Sequence, residues 1–294
     1  MKHYVTIDIG GTSIKYGLID ESDWLIEDQE IPTEAYKGGP SILEKVAEIV
    51  DYYQSKVDLA GICLSSAGMV DPIKGEIFYS GPQIPNYTGT QYKKVLEERF
   101  NIPCEIENDV NCAGLAEAVS GAGQHCKISL CLTIGTGIGG CLILDNKIYP
   151  GASYSACEVG YIHLPGGDFQ DLASTTALVR HVAELHGDAP ELWDGRRIFQ
   201  EAKEGNERCL QGIEQLCENL GKGIANICYV ANPEVVILGG GIMAQEEFLK
   251  PRIQAALKAH LVPSLADKTS LAFAQHQNTA GMLGAYYNFK NRQG

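Results

Sequence analysis

The chain has 294 residues, 45% of them hydrophobic and 20% charged, which is the balance of a globular protein with a substantial core. Its net charge of −14 argues against duplex nucleic acid or an anionic membrane surface as a partner. Phosphate is not excluded, because backbone N–H groups can hold it without Lys or Arg.

Residues 4–9 read as a buried strand, Gly10-Gly11-Thr12 as a tight turn, 14–19 as a second strand and 24–31 as a third. Ser41 is expected to cap a helix running to Tyr53, with Ile42, Val46, Ile49 and Tyr53 on one face. A strand over 59–65, a helix over 91–100, a strand over 104–106 and a helix over 111–119 follow. The opening pattern then returns: a strand over 128–134, a glycine turn over 135–140 and a strand over 141–144. Both second strands lead to an aspartate, Asp20 and Asp145. A duplicated strand–turn–strand unit and two unrelated hairpins both remain open on this match. Helices are expected over 174–186, 197–204 and 206–231, a strand over 235–238, and a final helix over 279–289 in which Gly281 and Gly284 allow close packing. No Pro-, Gly- or Ser-rich linker divides the chain. A boundary near 115–125 rests on the second copy.

The ten cysteines include no C-x-x-C pair and several lie in apolar runs such as 129–134. They read as small buried side chains in a reducing cytoplasm rather than disulfides. The first residues enter a strand directly, with no signal-peptide core, and no apolar run reaches membrane-spanning length.

Four stretches could carry chemistry. In Asp8-Ile-Gly-Gly-Thr12, glycines permit turns that other residues avoid and let the backbone approach an anion. Thr12 adds a hydroxyl, and Asp8 could hold Mg²⁺ directly or through water. A plain hairpin with a solvated Asp is the alternative. Gly135-Thr-Gly-Ile-Gly-Gly140 superficially matches a dinucleotide fingerprint, but a strand rather than a helix follows it, so that reading fails. Gly239-Gly240-Gly241 after an apolar strand would let an adenosine lie on the backbone. Taken alone, an ordinary turn explains it. Glu107-Asn108-Asp109-Val-Asn111 puts two carboxylates and two carboxamides where a strand meets a helix. Capping explains one of them. Asp109 is the candidate base for a hydroxyl attacking a γ-phosphate, with Asn108 orienting the substrate. Glu158 could accept hydrogen bonds from vicinal sugar hydroxyls, though by spacing alone a surface Glu near a turn explains it better, and Asn86 could reach a ligand from a loop, though turn chemistry explains it equally. The seven histidines show no partner at metal-ligand spacing.

In this order, Asp8-Ile-Gly-Gly-Thr12, Ser66-Ala-Gly68-Met-Val-Asp71, Glu107-Asn-Asp109-Val-Asn-Cys-Ala113, Thr133-Ile-Gly-Thr-Gly-Ile-Gly-Gly140, Glu158-Val-Gly-Tyr161 and Leu238-Gly-Gly-Gly241 resemble the ROK family of the actin-like ATPase superfamily. The resemblance spans nearly the whole chain. It implies a duplicated α/β, ribonuclease H-like fold of two lobes with a cleft between them. Residues 1–118 would form the first lobe, completed by 279–292, and 119–278 the second. It implies ATP and Mg²⁺ as cofactors and Asp109 as catalytic base. Gly10, Gly11, Thr12, Gly135, Thr136 and Gly137 would sit at the phosphates, Gly239 to Gly241 at the adenosine, and Gly68, Asn86, Asn108, Glu158 and Tyr161 at the sugar. Closure over the sugar is implied, because water must be kept from the γ-phosphate. A homodimer is suggested by relatives. The family's repressor branch adds an N-terminal helix-turn-helix, which is not expected here. Most members carry His where this chain has Tyr161, and a zinc-binding C-x-C-G-x-x-G-C run where it has residues 166–176 without cysteine. No zinc is therefore expected, and Gln170 or a neighbour stands where a second sugar-contacting Glu is common. These departures resemble the bacterial β-glucoside kinases. Glucose, a β-glucoside, fructose, mannose and an N-acetyl hexosamine stay open as acceptors, as does a non-catalytic sugar sensor.

Overall fold

The computed structural model describes residues 2–294. The chain forms two compact units: one holds the chain up to Gly121 with Asn146–Ala156 and Asn278–Gly294, the other Ala122–Asp145 and Cys157–Gln277.

In the first unit, β1 (His3–Ile9), β2 (Ser13–Asp20) and β3 (Leu25–Pro32) form the expected antiparallel meander. Helix α1 (Gly39–Gln54) leads to β4 (Leu59–Ser66), which pairs parallel to β1. A hairpin of β5 (Met69–Asp71) and β6 (Glu76–Tyr79) precedes α2 (Tyr92–Phe100). Then β7 (Cys104–Asn108) pairs parallel to β4 and runs into α3 (Asp109–Ser120). The sheet order is β3-β2-β1-β4-β7. Its core joins Val5, Ile7 and Ile9 to the apolar face of α1, including Ile42, Val46 and Val50.

Ser41 does not cap α1. The helix opens at Gly39-Pro40, where a proline without an N–H leaves no helical bond unmade, and the Ile42 N–H already reaches the Gly38 carbonyl at 3.2 Å. Ser41 therefore lies inside the first turn.

The second unit repeats the topology. β8 (Ile128–Ile134) and β9 (Ile138–Leu144) are antiparallel, and β8, β13 (Val235–Gly239) and β14 (Ser270–Phe273) run parallel. Between β9 and β13 lie β10 (Lys147–Ile148, in the first unit's insert), β11 (His163–Leu164), β12 (Gly167–Asp168), α4 (Phe169–Ala173), α5 (Thr175–His186), α6 (Gly195–Lys203) and α7 (Glu207–Ala231). Both sheets thus start with a hairpin and continue with parallel strands, so the repeated sequence pattern marks a repeated fold. The second turn is shorter than expected. Ile138, Gly139 and Gly140 pair with Ile134, Thr133 and Leu132, which leaves only Gly135–Gly137 as loop. Gly140 serves packing: a Cβ there would lie 2.7 Å from the Cys157 carbonyl oxygen.

The structure adds α8 (Glu246–His260) and α9 (Pro263–Ala266), which the sequence pattern did not suggest. Pro251 reads as a breaker, yet it sits early in α8, where its missing N–H removes one helical bond. The C-terminal α10 (Ala280–Gln293) lies in the first unit, and its small residues allow the expected close approach. A Cβ at Gly284 would fall 1.8 Å from the Cys112 carbonyl oxygen. Eight of the ten cysteines are buried.

Candidate active site

Parallel strands present their C-terminal ends on one side of a sheet, and ligands of α/β folds bind there. In the first unit the register puts Asp8 beside Ser65 and Ser66 beside Asn108. The candidate residues of β1, β4 and β7 therefore gather at one edge because of strand pairing, not sequence proximity.

Asp109 is the first residue of α3 and half-buried. Its Oδ1 accepts from the Val110 N–H at 2.9 Å and from Asn108 Nδ2 at 3.0 Å. Burial, and next the neighbouring Asp8 carboxylate, push its pKa up to about 7. Asp8 is raised by burial, opposed by a hydrogen bond from Ser65 Oγ at 2.6 Å and by the charge of Lys15. Gly281 of α10 backs Asp8: a Cβ there would come 2.3 Å from its carboxyl carbon.

The local structure accounts for more of the 107–111 stretch than one cap. Asn108 Oδ1 accepts from the Val110 and Asn111 N–H groups, and its Nδ2 donates to the Gly68 carbonyl at 2.9 Å as well as to Asp109. Glu107 Oε1 accepts from the Asn108 N–H and Asn111 Nδ2. Gly68 has φ +93°, a left-handed backbone that favours glycine, so its carbonyl can face Asn108. Asn86 is exposed at φ +53°. The buried Tyr87 next to it places its hydroxyl 2.6 Å from Ser66 Oγ and ties this loop to the end of β4.

The turn Gly10–Thr12 is pinned by the Gly10 N–H on the Ser13 carbonyl, by Thr33 Oγ1 on the Gly10 carbonyl and by the Thr33 N–H on the Thr12 carbonyl. Neither Gly10 and Gly11 nor Gly135 and Gly137 has a positive φ. The expectation that these turns need a backbone forbidden to other residues is therefore wrong. A Cβ at Gly11, Gly135 or Gly241 would meet nothing within 4 Å, so glycine there keeps the backbone uncovered toward open space.

In the second unit the nucleotide candidates converge. Gly240, at φ +110°, lies so close to β8 that a Cβ would come 2.1 Å from the Ile134 carbonyl oxygen. That contact sets Gly241 beside the Gly135–Gly137 turn, and Gly135, Thr136 and Gly241 line one cleft of about 640 Å³. Thr175, Thr176, Val179, Arg196, Phe199 and Gln245 also line it, and none was legible as a site residue. The Thr175 N–H donates to the Gly135 carbonyl at 2.9 Å, so α5 begins at the turn. Gly239 ends β13.

Glu158 and Tyr161 occupy a short turn against β9; both are exposed, and partial enclosure raises the Glu158 carboxyl above its usual range. Gln170 Oε1 lies where a Cβ on Gly137 or Gly160 would touch it, at 2.7 and 2.9 Å. It therefore stands between the second turn and the Glu158 turn. Residues 166–176, which form β12, α4 and the start of α5, do not fit the zinc that the resemblance implies for most members. They include no thiolate donor, Phe169 is fully buried against Gly223, and the His163 ring Nδ1 lies 2.5 Å from Asp168 Oδ1.

With this geometry in hand, the comparisons assign the class. The ROK family profile matches residues 4–292, so the chain belongs to the ROK family. It is 33% identical over 290 residues to the β-glucoside kinase of Listeria monocytogenes, covering 96% of this chain and 95% of that one. The ROK hexokinase of Thermus thermophilus superposes with a TM-score of 0.87 at 29% identity, over 99% of this chain and 100% of that one. A ROK glucokinase of Streptomyces griseus, solved with glucose and AMPPNP, superposes with a TM-score of 0.82 at 26% identity, over 99% and 100%. The fold is the duplicated actin-like ATPase fold of these sugar kinases. Among the described residues, no helix is long and apolar enough to cross a membrane.

Proposed function

We propose that the chain phosphorylates a hexose or glucoside at its 6-hydroxyl with ATP, as a β-glucoside kinase or glucokinase. The observation that carries this reading is Asp109, a half-buried carboxylate with a pKa pushed up to about 7. A base near the working pH is ionised often enough to act and basic enough to hold a proton. As the hydroxyl oxygen attacks the γ-phosphorus, the bond to ADP breaks and Asp109 takes the hydroxyl proton. Its Oδ1 is committed to two donors, which makes Oδ2 the better acceptor.

Asn108 positions Asp109, and Gly68, Asn86, Asn108, Glu158 and Tyr161 are the proposed sugar contacts. The N–H groups of Gly10–Thr12 and Gly135–Gly137 are the proposed phosphate donors, helped by the start of α5. The cleft beside Gly239–Gly241 is the proposed adenosine site. Asp8, a carboxylate with the Ser65 hydroxyl against it, suits Mg²⁺ bound directly or through water. When bound, that ion would neutralise charge on the transferring phosphoryl group.

The β-glucoside preference rests on the Listeria relative and on the cysteine-free segment beside Tyr161. We propose a cytoplasmic homodimer. Cysteines that are mostly buried in the core suit a reducing compartment, and Val230, 89% exposed beside the half-exposed Tyr229, suits an interface. The test is ADP release across a panel of glucose, β-glucosides, fructose, mannose and N-acetyl hexosamines. Release with none of them would leave a sugar sensor as the better reading.

A further inference from the structure

Away from the candidate active site, His186 in the last turn of α5, Glu201 on α6 and Cys209 in the first turn of α7 each point one donor atom at the other two. The three atoms lie within 4.8 Å of one another. Their spacing along the chain follows no ligand motif, and only the packing of three helices brings them together.

His186 and Glu201 are fixed from behind. His186 Nδ1 is 2.9 Å from the Val182 carbonyl oxygen, which makes it the protonated nitrogen and leaves Nε2 with its lone pair. The Trp193 ring, 4.4 Å from the imidazole between centroids, sets the ring plane, and Asp188 holds the indole N–H at 3.0 Å. Glu201 Oε1 is taken by Arg197 Nε at 2.8 Å, which turns Oε2 inward, 4.0 Å from Cys209 Sγ. Asn206 Nδ2 bridges the gap at 2.8 Å from Oε2 and 3.3 Å from His186 Nε2. Its Oδ1 caps α7 through the Arg208 and Cys209 N–H groups. A nitrogen and an oxygen donor whose outer atoms are anchored by separate partners, facing a sulfur donor, is an arrangement metal ligands take.

The centre of an equilateral triangle of that edge is about 2.8 Å from each corner, and zinc bonds run about 2.0–2.3 Å. A contraction of well under about 1 Å per donor would close the site. We propose that His186 Nε2, Glu201 Oε2 and Cys209 Sγ bind one divalent transition metal ion, zinc being the best match to a mixed N, O and S set. On binding, the Cys209 thiol releases its proton to solvent, and thiolate plus carboxylate balance the ion's charge. Asn206 moves from between the ligands and stays as a donor to Glu201. Glu201 and Asn206 also line a surface cleft of about 540 Å³, the source of a water as fourth ligand. The ion pins three helices of the second unit together. It revises the expectation of a chain without zinc, while residues 166–176 remain unsuited to one.

The test uses the full chain, loaded with zinc and desalted for metal analysis, and separately titrated with Co²⁺ to read the thiolate-to-cobalt charge-transfer absorbance. One ion per chain and a charge-transfer band are expected, retained in Cys126→Ser. In His186→Gln and Cys209→Ser the affinity should fall about 100-fold or more, because a three-ligand site has lost one. No retained metal in the wild type overturns the proposal. So does a band and affinity unchanged in folded His186→Gln. Should Cys209→Ser not fold, His186→Gln decides alone, since its ring is half-exposed.

Discussion

Asp109 sits where ionisation is unfavourable, and that governs both its reactivity and its effect on stability. As the proposed base it must be deprotonated, so kcat/KM for the sugar is expected to rise with pH through about 7 and level off above it. Asp109→Asn should lower kcat by about 10²–10⁴-fold or more and leave sugar affinity, read by calorimetry, largely intact. Near-normal turnover would remove the assignment. The stability sign is opposite to that of a salt-bridged aspartate. The folded chain holds this proton up to about 7, while the unfolded chain loses it near the ordinary 3.8. Stability contributed by the protonated form is present at low pH and lost as pH rises through that window. Asp109→Asn keeps an acceptor for Val110 and Asn108 but cannot ionise, so its Tm should exceed the wild type's at pH 8 and not at pH 4. Asp109 was legible as a residue type at a strand–helix junction. Its raised pKa was not, because Asp8 and the burial come from other strands.

At the scale of the element, α3 and α10 carry the clearest consequences. Asn108 caps α3, bridges to the Gly68 carbonyl and holds Asp109. Asn108→Ala should cost about 1–2 kcal/mol in chemical denaturation. It should also lower kcat more than it raises the ATP KM, because the proposed base, Asp109, loses a positioning donor. In α10, Gly284 lies on the Cys112 carbonyl of α3, and Thr6 Oγ1 donates to the Met282 carbonyl at 2.5 Å. A methyl at 284 must move one helix off the other, so Gly284→Ala should destabilise by about 1–3 kcal/mol. A Tm within a degree of the wild type's would show that the contact yields freely. In the second unit, Gly240 combines a left-handed backbone with contact against Ile134. Gly240→Ala is expected to be destabilising and to weaken nucleotide binding together, read by thermal shift with and without ATP.

For the whole molecule, the end of the sequence completes the unit that its beginning starts. Residues 278–294 belong with the first unit, and α10 packs against β1, β4, β7 and α3. Phe289 lies against Gly61, and the Tyr286 hydroxyl donates to the Asp20 carbonyl at 3.1 Å. Removing 278–294 would expose the apolar faces of three strands and a helix. The truncated chain should be insoluble or lose its cooperative transition on heating, and a soluble product with an unchanged Tm would contradict this account. The matching topology of the two sheets gives the motif repeat a physical meaning, because each copy joins its hairpin strands by a glycine turn with an uncovered position, Gly11 in one and Gly135 in the other.

The sequence by itself determined the strands and helices with strong period, the two glycine turns, the base candidate and the family. These are local properties: apolar spacing, capping residues and ordered motifs are written in consecutive positions. It also pointed to the wrong cap for α1, an overlong second turn and glycines chosen for backbone freedom. That Gly11, Gly135 and Gly241 keep space open follows from the tertiary fold, because openness depends on what the rest of the chain leaves empty. It alone gathered Asp8, Ser65 and Asn108 at one sheet edge, through strand register. It alone brought His186, Glu201 and Cys209 together, through the packing of three helices that no spacing along the chain records.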